Sequence, residues 1–266
     1  MKKLILFAVV VLFVSNTIAQ RKTYLLFEFM KMAPTQEATY LETESFWKKI
    51  HDQRVKSGEI LEWQLWRLQE GGENQNFQYV TVQVFDNPIK MFQGGGGESF
   101  LTLAKKAFPT MSDADLLKRR TESLKSRDLV QTFYLDQIDQ TKGQSSLSLG
   151  AVMGINFMNV SSDNYAKYEN AESKIFKPEW QNRVNEGKIV GWSLFKVITP
   201  EGHALNNRIS YVSLDKFKDM NQLSEIPDNY STILTVSDQK AWQEALTIRE
   251  INSYTAVLIK KTFKSW

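Results

Sequence analysis

Two kinds of hydrophobic spacing alternate along the chain. Short runs carry large apolar groups at nearly every position. Longer stretches bring them back every three or four residues. Tyr24 to Met32 is a run of the first kind, rich in aromatic and apolar residues, and reads as a strand. Pro34-Thr35 ends it. A helix is then predicted over about residues 36–56, because Tyr40, Thr43, Trp47, Ile50 and Arg54 fall on one stripe at 100° per residue. Gly58 sits just past that helix, where a C-terminal glycine belongs. Ile60 to Leu68 reads as a second strand, Gly71 to Asn74 as a turn and Phe77 to Phe85 as a third strand. A helical region and a closing strand, Leu129 to Ile138, complete the series. A second series predicts strands near 151–160, 188–198, 208–214 and 254–263, with helices near 163–186 and 238–250.

The second strand carries a physical message. Leu61, Trp63 and Leu65 are assigned to one face, and Ile60, Trp66 and Leu68 to the other beside Glu62 and Gln64. A sheet with water on one side would alternate more cleanly. Burial of both faces calls for a second cover, and the simplest is the sheet of the other series.

The two series are related in sequence. Phe29-Met30 through Tyr40 and Glu44 parallels Phe157-Met158 through Tyr168 and Glu172 at an offset of 128. After one inserted residue the offset becomes 129, matching Arg54-Val55 with Arg183-Val184, Gly58 with Gly187 and Trp63 with Trp192. Tyr79-Val80-Thr81 then matches Tyr211-Val212-Ser213 at an offset of 132. The expectation is an α+β protein of two tandem βαββαβ ferredoxin-like units, residues 20–142 and 143–266. On this element order and repeat, the chain resembles the dimeric α+β barrel superfamily, which includes antibiotic-biosynthesis monooxygenases and haem-degrading proteins. The resemblance implies an intramolecular version of that barrel, monomeric because each unit covers the other's sheet. It also implies a ligand pocket between the helices and sheet of a unit.

Composition narrows the function. Lys2 and Lys3 precede an apolar run from Leu4 to Val14, with small residues at Thr17-Ile18-Ala19. That pattern predicts a cleaved signal peptide, residues 1–19, and export to the periplasm or beyond; the alternative is an N-terminal anchor. The chain has no cysteine, so disulfides and sulfur-ligated metals are excluded. Its formal charge of +3 falls to +1 without Lys2 and Lys3, and no basic run tracks a phosphate backbone, so no nucleic-acid partner is expected. With His51 and His203 as its only imidazoles, no metal site is predicted.

The candidate chemistry lies on the first helix. Glu44, His51 and Arg54 border an aromatic stripe and are the candidate catalytic groups, able to bind an anion or move a proton. Tyr40, Trp47, Trp63, Glu172 and Arg183 are the predicted pocket residues. Retention of the Glu44/Arg54 pair as Glu172/Arg183 also fits a structural ion pair. His51, whose counterpart is Trp180, either marks the active copy or is a partly exposed helix histidine. Haem ligation by His51 is a further step, and no cofactor is predicted. Pro178 should kink or break the second copy's first helix. Glu28 and Asn156, at matching strand positions, are expected to hydrogen-bond across the seam between copies. Gly94 to Gly97 lacks a phosphate-loop signature and reads as a break between helices.

These features favour a binding protein for a small hydrophobic or aromatic molecule, with cofactor-independent monooxygenase-like activity following from the resemblance alone. The alternative is a non-catalytic scaffold or interaction module whose pockets are filled by its own side chains. An open cavity of roughly 300 Å³ or more near His51 favours a ligand, and a filled interior favours the scaffold.

Overall fold

The computed structural model describes residues 22–69, 75–199, 209–226 and 236–262. The predicted signal segment, the Gly71–Asn74 turn and His203 lie outside them. Eight strands form one closed antiparallel barrel. They are β1 (Tyr24–Lys31), β2 (Glu62–Leu68), β3 (Tyr79–Phe85), β4 (Asp128–Gln140), β5 (Val152–Val160), β6 (Gly191–Thr199), β7 (Tyr211–Phe217) and β8 (Arg249–Lys261). The order around the barrel is β1-β3-β2-β8-β5-β7-β6-β4. The first four strands are therefore neighbours, as are the last four, and the ring closes where β2 meets β8 and β4 meets β6. Both closing ladders contain register shifts, the local extra twist that lets a sheet curl shut.

Closure explains why the strands are apolar on both faces. Alternate side chains of all eight strands point inward. Phe29, Phe133, Phe157 and Tyr254 meet there, with ring centroids 5.6–5.9 Å apart along the chain of contacts from Phe29 to Tyr254. Phe29 and Phe133 come from the first half, Phe157 and Tyr254 from the second, so one interior core belongs to both. Trp66 and Leu68 face this interior, as predicted for one side of β2. Ile60 does not. It precedes β2 and packs with Trp63 and Leu65 beneath the first helix.

Helices cover the outer face. In the first half they are α1 (Glu37–Lys56), α2 (Pro88–Phe92), α3 (Phe100–Ala107) and α4 (Asp113–Ser123). Ser112 caps α4 by accepting from the Asp115 amide at 3.1 Å. In the second half they are α5 (Tyr165–Ala171), α6 (Lys177–Asn185), α7 (Met220–Ser224) and α8 (Val236–Thr247). Pro178 does not break the α5–α6 rod. A π turn, Glu172–Phe176, joins the two segments, and Pro178 sits in the first turn of α6, where it needs no donor. The π turn falls where the offset between the two series of matching residues grows from 128 to 129. Among the described residues, no helix is long and apolar enough to cross a membrane.

Candidate functional site

Both halves place a tyrosine, a glutamate and an arginine under their helices. In the first half these are Tyr40 and Glu44 on α1 and Arg127 just before β4, with Arg127 Nε 3.7 Å from Glu44 Oε1. In the second they are Tyr168 on α5, Glu172 on the π turn and Arg249 at the start of β8, with Arg249 Nη1 donating to Glu172 Oε1. Burial pushes the Glu44 carboxyl up to about 7 against the opposing pull of Arg127. Burial likewise raises Glu172, against Arg249. Tyr40 and Tyr168 are raised well above the ordinary phenol value, by burial and then by their glutamates.

The expected pairing of Glu44 with Arg54, and of Glu172 with Arg183, is not what forms. Arg54 Nε reaches Glu59 at 3.4 Å, and Arg183 Nε donates to Glu179 at 2.9 Å. The true partners, Arg127 and Arg249, stand beside the closing strand of each half. Nothing local in the sequence links them to the first helix; their one signal is that each arginine sits where the last strand of its series begins.

The first half gathers most of the predicted residues. His51 stacks on Trp63 at 5.1 Å and 12°. Arg54 Nη1 donates to His51 Nδ1 at 3.1 Å and to Gln83 Oε1 at 2.7 Å, and Nη2 donates to the Gly94 carbonyl at 2.5 Å. Arginine can only donate, so the His51 ring proton lies on Nε2. Burial, then Arg54, holds the imidazole well below its ordinary value, and it stays neutral. His51 is 8 % exposed, so it is a buried group and not a surface histidine. Gln83 Nε2 in turn donates to Glu28 at 3.2 Å, as Thr81 Oγ1 does at 3.0 Å. Glu28 therefore bonds within its own half, not across the seam. The break at residues 94–97 has a role here. A Cβ on Gly95 would lie 2.6 Å from Arg54 Nη2, and one on Gly97 2.6 Å from the Glu59 carboxyl carbon. Bare backbone is what lets these glycines close over the ion pair. Trp47 Nε1 is buried without a hydrogen-bond partner.

The second half is built differently at the same positions. Trp180 replaces His51, and Asp215 replaces Gln83. Arg183 is held by Glu179 and stacks over Trp180 at 5.2 Å. A cavity of about 460 Å³ lies between the sheet and α6, α8 and the π turn. Its walls include Trp180, Trp192, Trp242 and Phe176; its floor holds Asn156, Ser213 and Asp215. Of the predicted pocket residues, Glu172 lines it. Asn156 donates to Asp215 Oδ2 at 2.7 Å and accepts from Ser253 at 2.7 Å, again inside one half. Asp215 Oδ1 is buried with no hydrogen-bond partner. Burial pushes this carboxyl up to about 6, against the Asn156 hydrogen bond. Asp215, Trp180 and Trp242 were not selected from sequence. The available signal was an acid standing where the first half has Gln83.

No protein-family model and no curated protein sequence matches the chain. Solved structures do. A protein of Fusobacterium nucleatum subsp. nucleatum ATCC 25586, provisionally described as a monooxygenase, aligns with TM-score 0.58 and 10% identity over 93% of this chain and 96% of its own. A second such protein, from Lactobacillus acidophilus NCFM, gives 0.52 and 12% over 91% and 96%. A mutant chlorite dismutase from Candidatus Nitrospira defluvii gives 0.52 and 10% over 90% and 92%. The fold is the dimeric α+β barrel.

The comparisons correct one expectation. The similar structures include a chlorite dismutase, so the expected absence of a cofactor does not carry over with this barrel. The residues around the second-half cavity do not match haem ligation. Of the usual axial ligands its lining offers only the Met158 thioether, with no imidazole, thiolate or phenol, and no cluster of three metal-binding side chains occurs among the described residues.

Proposed function

We propose that the chain is a small-molecule-binding protein of monooxygenase-like kind, whose ligand is a planar aromatic molecule bearing a hydrogen-bond donor, held in the second-half cavity. The observation that carries this is Asp215 Oδ1, a buried acceptor without a partner, on the floor of an aromatic-walled space. Leaving such an acceptor unmatched costs about 1–3 kcal/mol, which a ligand hydroxyl would recover. An acid of pKa about 6 is also suited to taking a proton from a phenol near neutral pH. The volume lies above roughly 300 Å³, the low end for ligand sites, and it stands at the Trp180 counterpart rather than beside His51, where the cavity was expected.

The wider reading is an exported, monomeric pseudo-dimer of two tandem units, residues 20–142 and 143–266, lying in the periplasm or outside the cell. The matched Tyr–Glu–Arg sets and the ordered offsets support the duplication. The first-half network, in which Arg54 bridges His51, Gln83 and Gly94, supports a structural role for that half.

Calorimetric titration with bicyclic phenols, 2-naphthol first, tests the site. Wild type and His51→Ala should bind alike. Asp215→Ala should weaken binding about tenfold or more, the loss of one hydrogen bond to a charged group. Equal binding by Asp215→Ala, or loss confined to His51→Ala, would remove the second-half site.

A further inference from the structure

A second cavity, of about 210 Å³, opens at one end of the barrel interior, on the opposite face of the sheet from the helix-covered site. Its lining mixes apolar strand residues with a polar set that includes Gln64, Gln137, Gln144, Ser146, Ser193 and Lys216. Lys216 follows Val212 and Leu214 on the inward face of β7. Its Nζ donates to Gln144 Oε1 at 2.8 Å and to Ser193 Oγ at 2.9 Å, both neutral acceptors. Among the described residues no carboxylate forms an ion pair with it. Glu62 on β2 lines the same cavity and pairs with Lys261 on β8 at 3.3 Å.

Gln144 is fixed in place. Its Nε2 donates to the Trp192 carbonyl at 2.9 Å and to the Thr141 carbonyl at 3.1 Å, which leaves Oε1 facing Lys216. Gly191 permits this approach: a Cβ there would lie 2.6 Å from Gln144 Cδ. The result is an amine held at a cavity wall by two neutral acceptors, with no carboxylate in direct ion-pair contact. Burial pulls Lys216 down to about 8, with Glu62 and then Asp215 opposing. A lysine desolvated in this way is a nucleophile near neutral pH.

We infer that the barrel mouth is a covalent capture site, in which the Lys216 amine condenses with a small aldehyde or ketone. The nitrogen attacks the carbonyl carbon and a C–N bond forms as the C=O π bond breaks. Both amine hydrogens then leave with the carbonyl oxygen as water, giving the imine. No oxidant or reductant is needed. The Ser193 hydroxyl, 2.9 Å from Nζ, is placed to pass the proton from nitrogen to oxygen.

Reductive trapping tests this on the full chain. The protein is incubated at pH 8 with propanal and sodium cyanoborohydride, and modified lysines are located by peptide mass spectrometry. At that pH about half of Lys216 is neutral, against under about 1% of an ordinary lysine. Lys216 should be labelled more than tenfold faster than exposed Lys118, with a pH midpoint near 8. The Ser213→Phe variant, which plugs the other cavity, should be labelled as fast as wild type. Labelling of Lys216 no faster than Lys118 would overturn the assignment, and so would a pH profile that parallels the surface lysines.

Discussion

Replacing Phe29 and Phe157 by leucine, singly and together, probes the shared interior. The two rings lie 5.7 Å apart, one on β1 and one on β5, and both are 4 % exposed or less. Truncation to alanine would cost about 3–5 kcal/mol per site and risks unfolding the chain. Leucine keeps most of the volume, so each single change should cost about 1–2 kcal/mol. An aromatic pair at this separation adds about 0.5–1.5 kcal/mol beyond the area it buries. The double variant should therefore lose less than the two singles summed, by about 0.5–1 kcal/mol. Urea unfolding followed by circular dichroism and tryptophan fluorescence reads these values. One cooperative transition is expected in all four proteins. Two resolved transitions, with each substitution shifting only that of its own half, would refute a barrel core common to both.

The remaining predictions concern the buried charges and the backbone around them. The Glu44 carboxyl is raised to about 7 from an ordinary 4.5, so the folded chain holds its proton more tightly than the unfolded chain. Stability from this group is present below about pH 4.5, declines as pH rises towards 7 by up to roughly 3 kcal/mol, and is then flat; Glu44→Gln should reduce the slope of urea midpoints measured between pH 5 and 7.5, with Asp215 and Glu172, both also raised, supplying the remainder. Gly95→Ala forces a side chain onto φ +106° and against Arg54, and should destabilise by about 1–3 kcal/mol in thermal unfolding. Gly94→Ala meets nothing within 4 Å and should cost about 1 kcal/mol, the left-handed backbone alone. Pro178→Ala should change stability by under about 1 kcal/mol and keep the π turn, which Pro178 follows and does not cause; a crystal structure of the variant with a regular helix over 172–176 would disprove that.

The strands and the first helix were legible because their signals are local. Tyr24 to Met32 lies within a residue of β1, and the stripe through Tyr40 and Ile50 marks α1. Apolar groups on both faces of β2 correctly implied a second cover, and barrel closure supplies it. Ile60 was misassigned because strict alternation was carried past the start of the strand. The ion pairs failed for a different reason. Glu44 finds Arg127, and Glu172 finds Arg249, through the docking of helices on sheet, which no spacing rule contains. Glu28 and Asn156 share a register position, but each points under its own helices, where Thr81, Gln83, Ser213 and Asp215 already supply partners. His51 drew attention as a rare imidazole. The open space in the second half follows from what replaces it and its neighbours: Arg183 turns to Glu179, whereas Arg54 reaches the sheet.

Native mass spectrometry of the chain purified from its own host bears most directly on the claim that the second-half cavity holds a ligand. Wild type is expected as a monomer carrying one small aromatic molecule, and Ser213→Phe, equally folded by circular dichroism, as the bare chain. A bare wild-type mass, or the same adduct on both proteins, would contradict the account.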